Sequence, residues 1–140
     1  MPPKFSLAVV CPDFELPTEK MRAVLPDCYS AQDVIFNLQR ATLLVAALAT
    51  GNRDAFPAAL EDRLHQPYRI AHVPGMAEIL KLRAQGLLGC ALSGAGPAML
   101  VFYEKGCEPV VGLVQDEFRH AGRSSEVWFS SIDREGLKIS

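Results

Sequence analysis

Apolar positions along the chain fall into short runs typical of strands and longer stretches with helical spacing. Phe5–Val10 is a short apolar run that closes before a proline, and it predicts a buried strand. Leu87–Leu92 and Ala98–Tyr103 have the same character, and the residues between them include two glycines, as a hairpin connection requires. Glu126–Ile132 predicts a closing strand.

The longest helical pattern lies between Ser30 and Gly51. Ser30 is a good N-cap residue and Gly51 a good terminator, so the pattern predicts one helix between them. From Ala46 onward the apolar residues surround the helix, and we therefore expect its end to be enclosed by protein on every side. Its apolar run, Ala41–Ala49, is far shorter than the roughly 20 residues that cross a bilayer, so we expect no membrane span.

Four shorter segments also predict helices. The first begins near Thr18 and is stopped by Pro26, and the others cover Asp54–Leu64, Met76–Gln85 and Val110–His120. The predicted order is a strand, four helical pieces, a hairpin, a helix and a strand. This order favours an α+β fold in which helices pack on one face of a small antiparallel sheet.

Composition and charge are those of an ordinary globular domain. The 140 residues include 14 Lys and Arg against 16 Asp and Glu, which gives a formal net charge of −2, and 49% are hydrophobic. Such a chain buries enough surface to fold without a metal or disulfide, so we expect a single domain over residues 1–140. The basic residues are scattered, which argues against nucleic acid as a partner. No basic leader opens the sequence, so we expect a cytoplasmic location.

The four cysteines show no pattern that points to metal or redox chemistry. They include no C-x-x-C pair, and no histidine stands at a metal-ligand spacing from them. We therefore expect no metal site and four buried free thiols. These thiols are Cys11, Cys28, Cys90 and Cys107.

The most specific local feature is the glycine-rich connection between the two hairpin strands. Two glycines two positions apart let the backbone approach another group closely, although a plain hairpin turn needs the same residues. Because a strand follows the loop, the glycines alone are weak evidence for a nucleotide site. The candidate residues of this loop are Ser93, Gly94, Ala95, Gly96 and Pro97.

Two arginines and a threonine are the other candidates for chemistry. Arg22 and Arg69 each lie close to a proline, where a rigid turn can aim a guanidinium at a small carboxylate, although solvated surface arginines would look the same. Thr18 either donates its hydroxyl to a phosphate oxygen or caps the helix that begins there. The histidines show no partner pattern and are expected at the surface or in satisfied positions: His65, His72 and His120.

Three segments of the chain form a set of motifs in a fixed order. Thr18–Pro26 reads T-E-K-M-R-A-V-L-P, Gln66–Arg69 reads Q-P-Y-R with V-P-G just after it, and Leu92–Pro97 reads L-S-G-A-G-P. Together they resemble the C-terminal half of homoserine kinases of the GHMP kinase family. The resemblance spans the chain from Phe5 to the last predicted strand.

This resemblance implies a fold, an activity and roles for the candidate residues. The C-terminal half of such kinases is a ferredoxin-like α+β unit. The whole enzymes transfer the γ-phosphoryl group of ATP to the side-chain hydroxyl of homoserine, on the route to threonine, with Mg²⁺ at the phosphates. By resemblance, Arg22 and Arg69 hold the substrate carboxylate, Thr18 lies near the transferred phosphate, and residues 93–97 support the nucleotide and substrate site. We also expect a homodimer.

One motif of the family is missing from the sequence. Its phosphate-cradling segment, P-x-x-x-G-L-G-S-S-A, belongs to the N-terminal domain, and no stretch here resembles it. We therefore expect the substrate-side half of such a kinase, which needs an N-terminal kinase domain as partner and neither binds ATP nor turns over alone. The alternative is a stand-alone ferredoxin-like module that binds a small amino acid or dimerises.

Overall fold

A four-stranded antiparallel sheet organises the protein in this computed structural model, which describes residues 5–130. The strand order across the sheet is β2-β3-β1-β4, which confirms the predicted α+β class with a small antiparallel sheet. The predicted strands nearly coincide with the observed ones, and Ser131 and Ile132 of the last predicted strand lie outside the described residues. The strands are β1 (Phe5–Pro12), β2 (Leu87–Leu92), β3 (Met99–Glu104) and β4 (Ser125–Ser130).

Six α-helices connect the strands in the described part of the chain, and the longest is the second, which follows the first after a short loop. This helix, α2, begins after Ser30, whose hydroxyl accepts a hydrogen bond from the Asp33 N–H at 3.0 Å, and ends at Gly51 with a φ of 71°. Both ends agree with the sequence prediction. The helices are α1 (Thr18–Ala23), α2 (Ala31–Thr50), α3 (Phe56–Ala59), α4 (Gln66–Arg69), α5 (Met76–Ile79) and α6 (Gly112–His120).

The helix predicted over Asp54–Leu64 is wrong in its second half. The segment forms a short 3₁₀ turn and then α3, after which residues 60–65 form a loop. The Asp62 carboxylate accepts hydrogen bonds from the backbone N–H groups of residues 64–66, so a side chain replaces the carbonyl partners that a helix would supply.

The helix predicted over Met76–Gln85 is also shorter than expected and ends at Ile79. The backbone then tightens into turns, and the Arg83 guanidinium donates to the carbonyl oxygens of Leu80 and Leu82 at 3.3 and 2.7 Å. A charged side chain thus satisfies these carbonyls at the helix end.

Each face of the sheet carries its own apolar core because side chains alternate along a strand. Ala8 and Val10 of β1 lie in the larger core, which includes residues of α5 and α6 such as Met76 and Phe118. Residues of β1 with the opposite parity, such as Phe5, lie in a second core that α2 and α3 complete. The prediction of helices on one face therefore holds for α5 and α6 and is incomplete, because α2 and α3 cover part of the other face.

The expected enclosure of α2 is contradicted by its exposure. Ala47 is its single fully buried residue, while Leu38 and Val45 are 62% and 67% exposed. One side of the helix contacts the second core, and no other layer within residues 5–130 covers the opposite side. By length and composition, α2 also passes as a helix able to cross a membrane, which is weak evidence for any single helix.

The prediction of four buried cysteines is wrong for three of them. Cys90 is buried in β2, where desolvation raises the pKa of its thiol to about 12, so it remains a neutral thiol. Cys28 is exposed, and Cys11 and Cys107 are half-buried. Cys28 lies in a loop rather than in a core element, so no apolar neighbours enclose it.

Candidate functional site

An open cleft of about 490 Å³ brings together most of the residues that the sequence singled out. A volume of this size accommodates a small metabolite. Predicted residues of three separate segments share its wall, from α1, from α4 and from the loop between β2 and β3. The cleft is lined by Thr18, Arg22, His65, Arg69, Leu92, Gly94 and Ala95.

Helix α1 contributes a hydroxyl and a guanidinium one helical turn apart. Thr18 and Arg22 are separated by four positions, so both side chains project from the same side of α1, while Met21 is fully buried. The interpretation of Thr18 as an N-cap is wrong, because Pro17 takes that position and no side chain caps this helix. Both Thr18 and Arg22 are exposed and make no hydrogen bond with another described side chain.

Arg69 of α4 is buried at 7% exposure and ties two parts of the cleft wall together. Its Nε donates to the carbonyl oxygen of Met21 at 3.2 Å, and its Nη1 donates to the carbonyl oxygen of Gly94 at 3.0 Å. The same guanidinium therefore holds α1 against the glycine loop. Its Nη2 makes no hydrogen bond with another residue in the range 5–130, which leaves donors for an anion in the cleft.

The glycine loop is a tight turn that presents backbone to the cleft. The Ser93 N–H donates to the Ala98 carbonyl at 2.8 Å, and the Gly96 N–H donates to the Ser93 carbonyl at 3.0 Å. Gly94 and Gly96 have φ values of 59° and 87°, a left-handed backbone that favours glycine. Gly94 and Ala95 line the cleft, whereas Ser93, Gly96 and Pro97 close the turn and are not among the lining residues.

His65 lines the same cleft, although no partner was predicted for it from the sequence. Its Nδ1 lies 3.4 Å from Nη1 of Arg69, and its Nε2 lies 3.6 Å from Oδ1 of Asp62. Burial lowers the pKa of His65 below its ordinary value of 6.5, and nearby Arg69 adds to this shift while Asp62 opposes it. A neutral imidazole with its proton on Nε2 fits both contacts, because Nδ1 then accepts from Arg69. The four-residue spacing of His65 and Arg69 was the signal that could have suggested the pair.

The loop that carries His65 is held in place from α2. Asp62 accepts a hydrogen bond from the Asn37 side chain, and the Arg63 N–H donates to Oδ1 of Asn37 at 2.8 Å. Burial opposes ionisation of Asp62, but its hydrogen bonds from Asn37 and from the backbone of the following residues hold its pKa below 3.8. Arg40 of α2 also pairs with Glu61 at 3.0 Å. This loop thereby fixes the start of α4, and so the position of Arg69.

Gln66 is a second residue that sequence reasoning missed. It is buried at 5% exposure, its Oε1 accepts from the Leu92 N–H at 2.8 Å, and its Nε2 donates to the Leu60 carbonyl at 3.3 Å. The side chain thus fastens the end of β2, where the glycine loop begins, to the loop before α4. A polar side chain in a Q-P-Y-R segment gives no sequence signal for such a role.

The cleft is suited to a small anion by the groups that line it. Its wall contains two guanidinium groups and no carboxylate. A guanidinium is the natural partner of a planar carboxylate, since it offers paired donors in a fixed plane. Across residues 5–130, no three His, Cys, Asp or Glu side chains come close enough to hold a metal ion.

Comparison with known sequences shows what the chain is similar to. Residues 44–108 match the family described as GHMP kinases C terminal. The homoserine kinase of Solibacter usitatus is 60% identical over all 140 residues, which make up 46% of that protein. The homoserine kinase of Persephonella marina is 40% identical over 139 residues, again 46% of its length. The chain therefore spans less than half the length of the curated relatives that it matches.

Solved structures show the same fold at lower sequence identity. The homoserine kinase from Cytophaga hutchinsonii superposes with a TM-score of 0.84 and 22% identity, over 94% of this chain and 42% of that one. The phosphomevalonate kinase of Streptococcus pneumoniae gives 0.61 and 13%, with the same coverage of 94% and 42%. From the family match, the relatives and the fold, the chain belongs to the GHMP kinase family and is similar to the C-terminal part of its homoserine kinases.

Proposed function

We propose that this chain is the substrate-side domain of a homoserine kinase. In the complete protein, the γ-phosphoryl group of ATP is transferred to the side-chain hydroxyl of homoserine, a step towards threonine. The convergence of Arg22 and Arg69 on one open cleft beside the glycine loop carries the proposal. The 60% identity to a homoserine kinase across the whole chain supports homoserine as the substrate.

The two guanidinium groups bind the substrate carboxylate in this proposal. Arg22 brings an exposed guanidinium from α1, and Arg69 brings the donors that its carbonyl partners leave available. Charge-assisted hydrogen bonds of this kind are short and directional, so they fix the amino-acid end of the substrate. A substrate without a carboxylate would lack this anchor.

Thr18 then lies where the hydroxyl end of the substrate extends. One turn of helix separates Thr18 from Arg22, a rise of about 6 Å along the axis, which is comparable to the extended length of homoserine. An exposed threonine hydroxyl at that distance can donate a hydrogen bond to the transferred phosphoryl group. The role of Thr18 in this proposal is to orient the phosphoryl group and to stabilise its negative charge, because phosphoryl transfer depends mostly on positioning and electrostatics.

ATP and Mg²⁺ belong to the part of the longer protein that this chain does not include. The cleft wall offers no carboxylate, the ligand type that Mg²⁺ prefers, so these residues do not fit a metal site. ATP supplies the phosphoryl group when bound. The present residues contribute substrate binding and orientation. We propose an N-terminal kinase domain as the partner that completes the site, in a cytoplasmic enzyme that acts as a homodimer.

A fusion protein that supplies an N-terminal domain, called the joined protein below, tests the proposed function. The N-terminal half of the Solibacter usitatus relative, fused to this chain, should phosphorylate homoserine and should leave galactose and phosphomevalonate unreacted. The fusion with Thr18→Ala should lose most of kcat and keep its KM for homoserine, while Thr50→Ala on the exposed end of α2 serves as control. A soluble, folded fusion that phosphorylates another alcohol in preference to homoserine would overturn the assignment.

Calorimetry on the chain alone distinguishes the stand-alone module from a kinase half. We expect no heat of binding with homoserine or threonine at millimolar concentration, because one wall of the site is missing. Tight binding of either amino acid to the isolated chain would favour a sensor module instead.

A further inference from the structure

Three of the five N–H groups of the Arg69 guanidinium have partners inside the domain. Nε donates to the Met21 carbonyl at 3.2 Å, and Nη1 donates to the Gly94 carbonyl at 3.0 Å. The second hydrogen of Nη1 is available to Nδ1 of His65, which lies 3.4 Å away. The two N–H groups of Nη2 are therefore the pair that remains for a ligand in the cleft.

The His65 ring is held from its backbone and from both of its nitrogens. Its backbone N–H donates to Oδ2 of Asp62 at 2.8 Å, and its Nε2 lies 3.6 Å from Oδ1 of the same carboxylate. An ionised Asp62 favours a proton on Nε2. Nδ1 is then the acceptor of the neutral ring, and it faces Nη1 of Arg69. The ring is 38% exposed, and its open part belongs to the cleft wall.

We propose that His65 is a positioning residue, which holds the Arg69 guanidinium ready for the substrate carboxylate only while the imidazole is neutral. The inference rests on the proposed function, since it concerns how the same cleft binds homoserine. The neutral ring accepts from Nη1 and keeps Nη2 free for the cleft. Protonation places an N–H on Nδ1, so two donors of like charge then face each other across 3.4 Å.

Protonation of His65 acts on the nitrogen that also anchors the glycine loop. Nη1 is the donor to the Gly94 carbonyl, so a guanidinium that turns away from a charged imidazole also loses this bond. The orientation of Nη2 and the tie between α4 and the glycine loop are weakened together. We therefore expect KM for homoserine to rise when His65 takes up a proton. The value of kcat should change less, because Thr18 makes no hydrogen bond with either side chain.

The other charges around His65 do not reverse this direction. Burial and the nearby Arg69 lower the pKa of His65, and the opposing effect of Asp62 is smaller than that of burial. On the side of α2, an arginine and a glutamate form an ion pair at 3.0 Å, so their charges largely cancel. The charged groups near the ring are Asp62, Arg69, Arg22, Arg40 and Glu61.

NMR on the chain alone tests the tautomer and the coupling of the two side chains. Long-range proton–nitrogen spectra at pH 7.5 should show a neutral His65 with its proton on Nε2. As the ring titrates below pH 6.5, the Nε–H resonance of Arg69 should shift in step with it. In His65→Asn the same resonance should stay fixed. A neutral ring protonated on Nδ1, or an Arg69 resonance that does not follow the titration, would overturn the proposal.

Kinetics of the joined protein test the effect on substrate binding. If only the neutral form is competent, KM for homoserine should rise about 2-fold at the pKa measured for His65 and about 10-fold one pH unit lower. His65→Asn offers Nη1 an oxygen that does not titrate, so this rise should disappear. His65→Leu offers no acceptor and should have a higher KM at pH 7.5 than His65→Asn. His120→Asn, at an exposed histidine of α6, is the matched control and should follow the wild type.

Three kinetic results would overturn the proposal. The first is the same rise in KM in the wild type and in His65→Asn. The second is a KM that falls as His65 becomes charged, which would make the imidazole a third cation for the carboxylate. The third is an equal KM in His65→Asn and His65→Leu at every pH, as a merely structural role would give. A joined protein inactive on homoserine at every pH would contradict the proposed function instead, and the NMR result then decides the coupling by itself.

Discussion

At the residue scale, the two arginines of the cleft differ in what else they do. Arg69 is buried and donates to the carbonyls of Met21 and Gly94, so it builds the cleft as well as facing it. Arg22 is exposed, and its guanidinium makes no hydrogen bond with any of residues 5–130. A substitution at Arg69 therefore mixes loss of structure with loss of binding, and Arg22 is the cleaner probe of the site.

The stability of the two alanine variants should show this difference. Arg69→Ala removes a buried charged donor and leaves two carbonyl groups unpaired, so we expect the free energy of unfolding to fall by about 2–4 kcal/mol. Arg22→Ala should change it by less than about 0.5 kcal/mol. Urea denaturation of both variants measures the difference, and an Arg69→Ala protein as stable as the wild type would contradict the assigned hydrogen bonds.

His65 should make stability depend on pH in the mildly acidic range. Its pKa in the folded chain lies below 6.5, so the unfolded chain binds more protons as the pH falls through 6.5. The free energy of unfolding should therefore fall as the pH drops from 6.5 towards the pKa of the folded chain, and below that pKa it should level off. The fall should not exceed about 1.4 kcal/mol per pH unit. Charged groups near His65 are Asp62 on its Nε2 side, Arg69 and Arg22 across the cleft, and Arg40 and Glu61 on the side of α2.

Asparagine is the matched replacement for His65. The side-chain oxygen of His65→Asn can still accept from Arg69, but the group does not titrate. Chemical denaturation between pH 7.5 and about 5 should thus show a flatter profile in this variant. Asp62 does not interfere, because its lowered pKa places its own titration below pH 3.8. An identical fall in the variant and the wild type would exclude His65 as the source.

At the element scale, the short helix α4 depends on the loop before it. Four residues form no stable helix by themselves, so tertiary contacts have to hold α4 in place. Gln66 and Arg69 bond to distant backbone, and Asp62 adds to these contacts, since it accepts backbone N–H groups at the start of α4 and a side-chain donor from α2. The position of Arg69 thus depends on a carboxylate seven positions earlier.

Asp62→Ala should destabilise the domain and loosen this part of the cleft. It leaves several partly buried donors unpaired, so we expect a loss of about 1–3 kcal/mol in the free energy of unfolding. Asp116→Ala is the control, because Asp116 forms an exposed pair with Arg119, and its loss should cost less than about 1 kcal/mol. Thermal melts compare the two, and equal losses would contradict the role given to Asp62.

The ends of a helix could be predicted from the sequence where the residues that determine them lie close by in the chain. Both ends of α2 were predictable, because Ser30 and Gly51 act within one turn of the helix. The early end of the helix predicted after Asp54 was not, because the Asp62 carboxylate that replaces the helical partners is also held by Asn37, 25 positions away. The sequence pattern holds no information on which distant side chain will meet a given loop.

At the scale of the whole molecule, the same reasoning explains which site residues were found. Thr18 and Arg22 lie one helical turn apart, and their resemblance to a family motif pointed to them and to Arg69 and the glycine loop. His65 and Gln66 were identified as site residues only from their tertiary contacts in the structure, which no motif describes. Their roles, like those of the predicted residues, remain proposals that mutation can test.

The exposed apolar side of α2 shows the limit of composition as a guide to burial. Apolar residues all round a helix predicted enclosure, yet the described chain supplies a covering layer on one side only. Relatives more than twice as long, and a second copy of the chain, are the two sources of further covering. Hydrophobicity predicts that a surface will be covered but does not say by which molecule.

The central claim is that Arg22 binds the carboxylate of the substrate. The most direct test compares the wild type and Arg22→Ala on two substrates, one with and one without the carboxylate. In the joined protein, KM is measured for homoserine and for 3-aminopropan-1-ol, which lacks the carboxylate, with and without Arg22→Ala. We predict that Arg22→Ala raises KM for homoserine by about 10- to 100-fold and leaves KM for the amino alcohol unchanged. An equal effect of Arg22→Ala on both substrates, or no effect on either, would contradict the account.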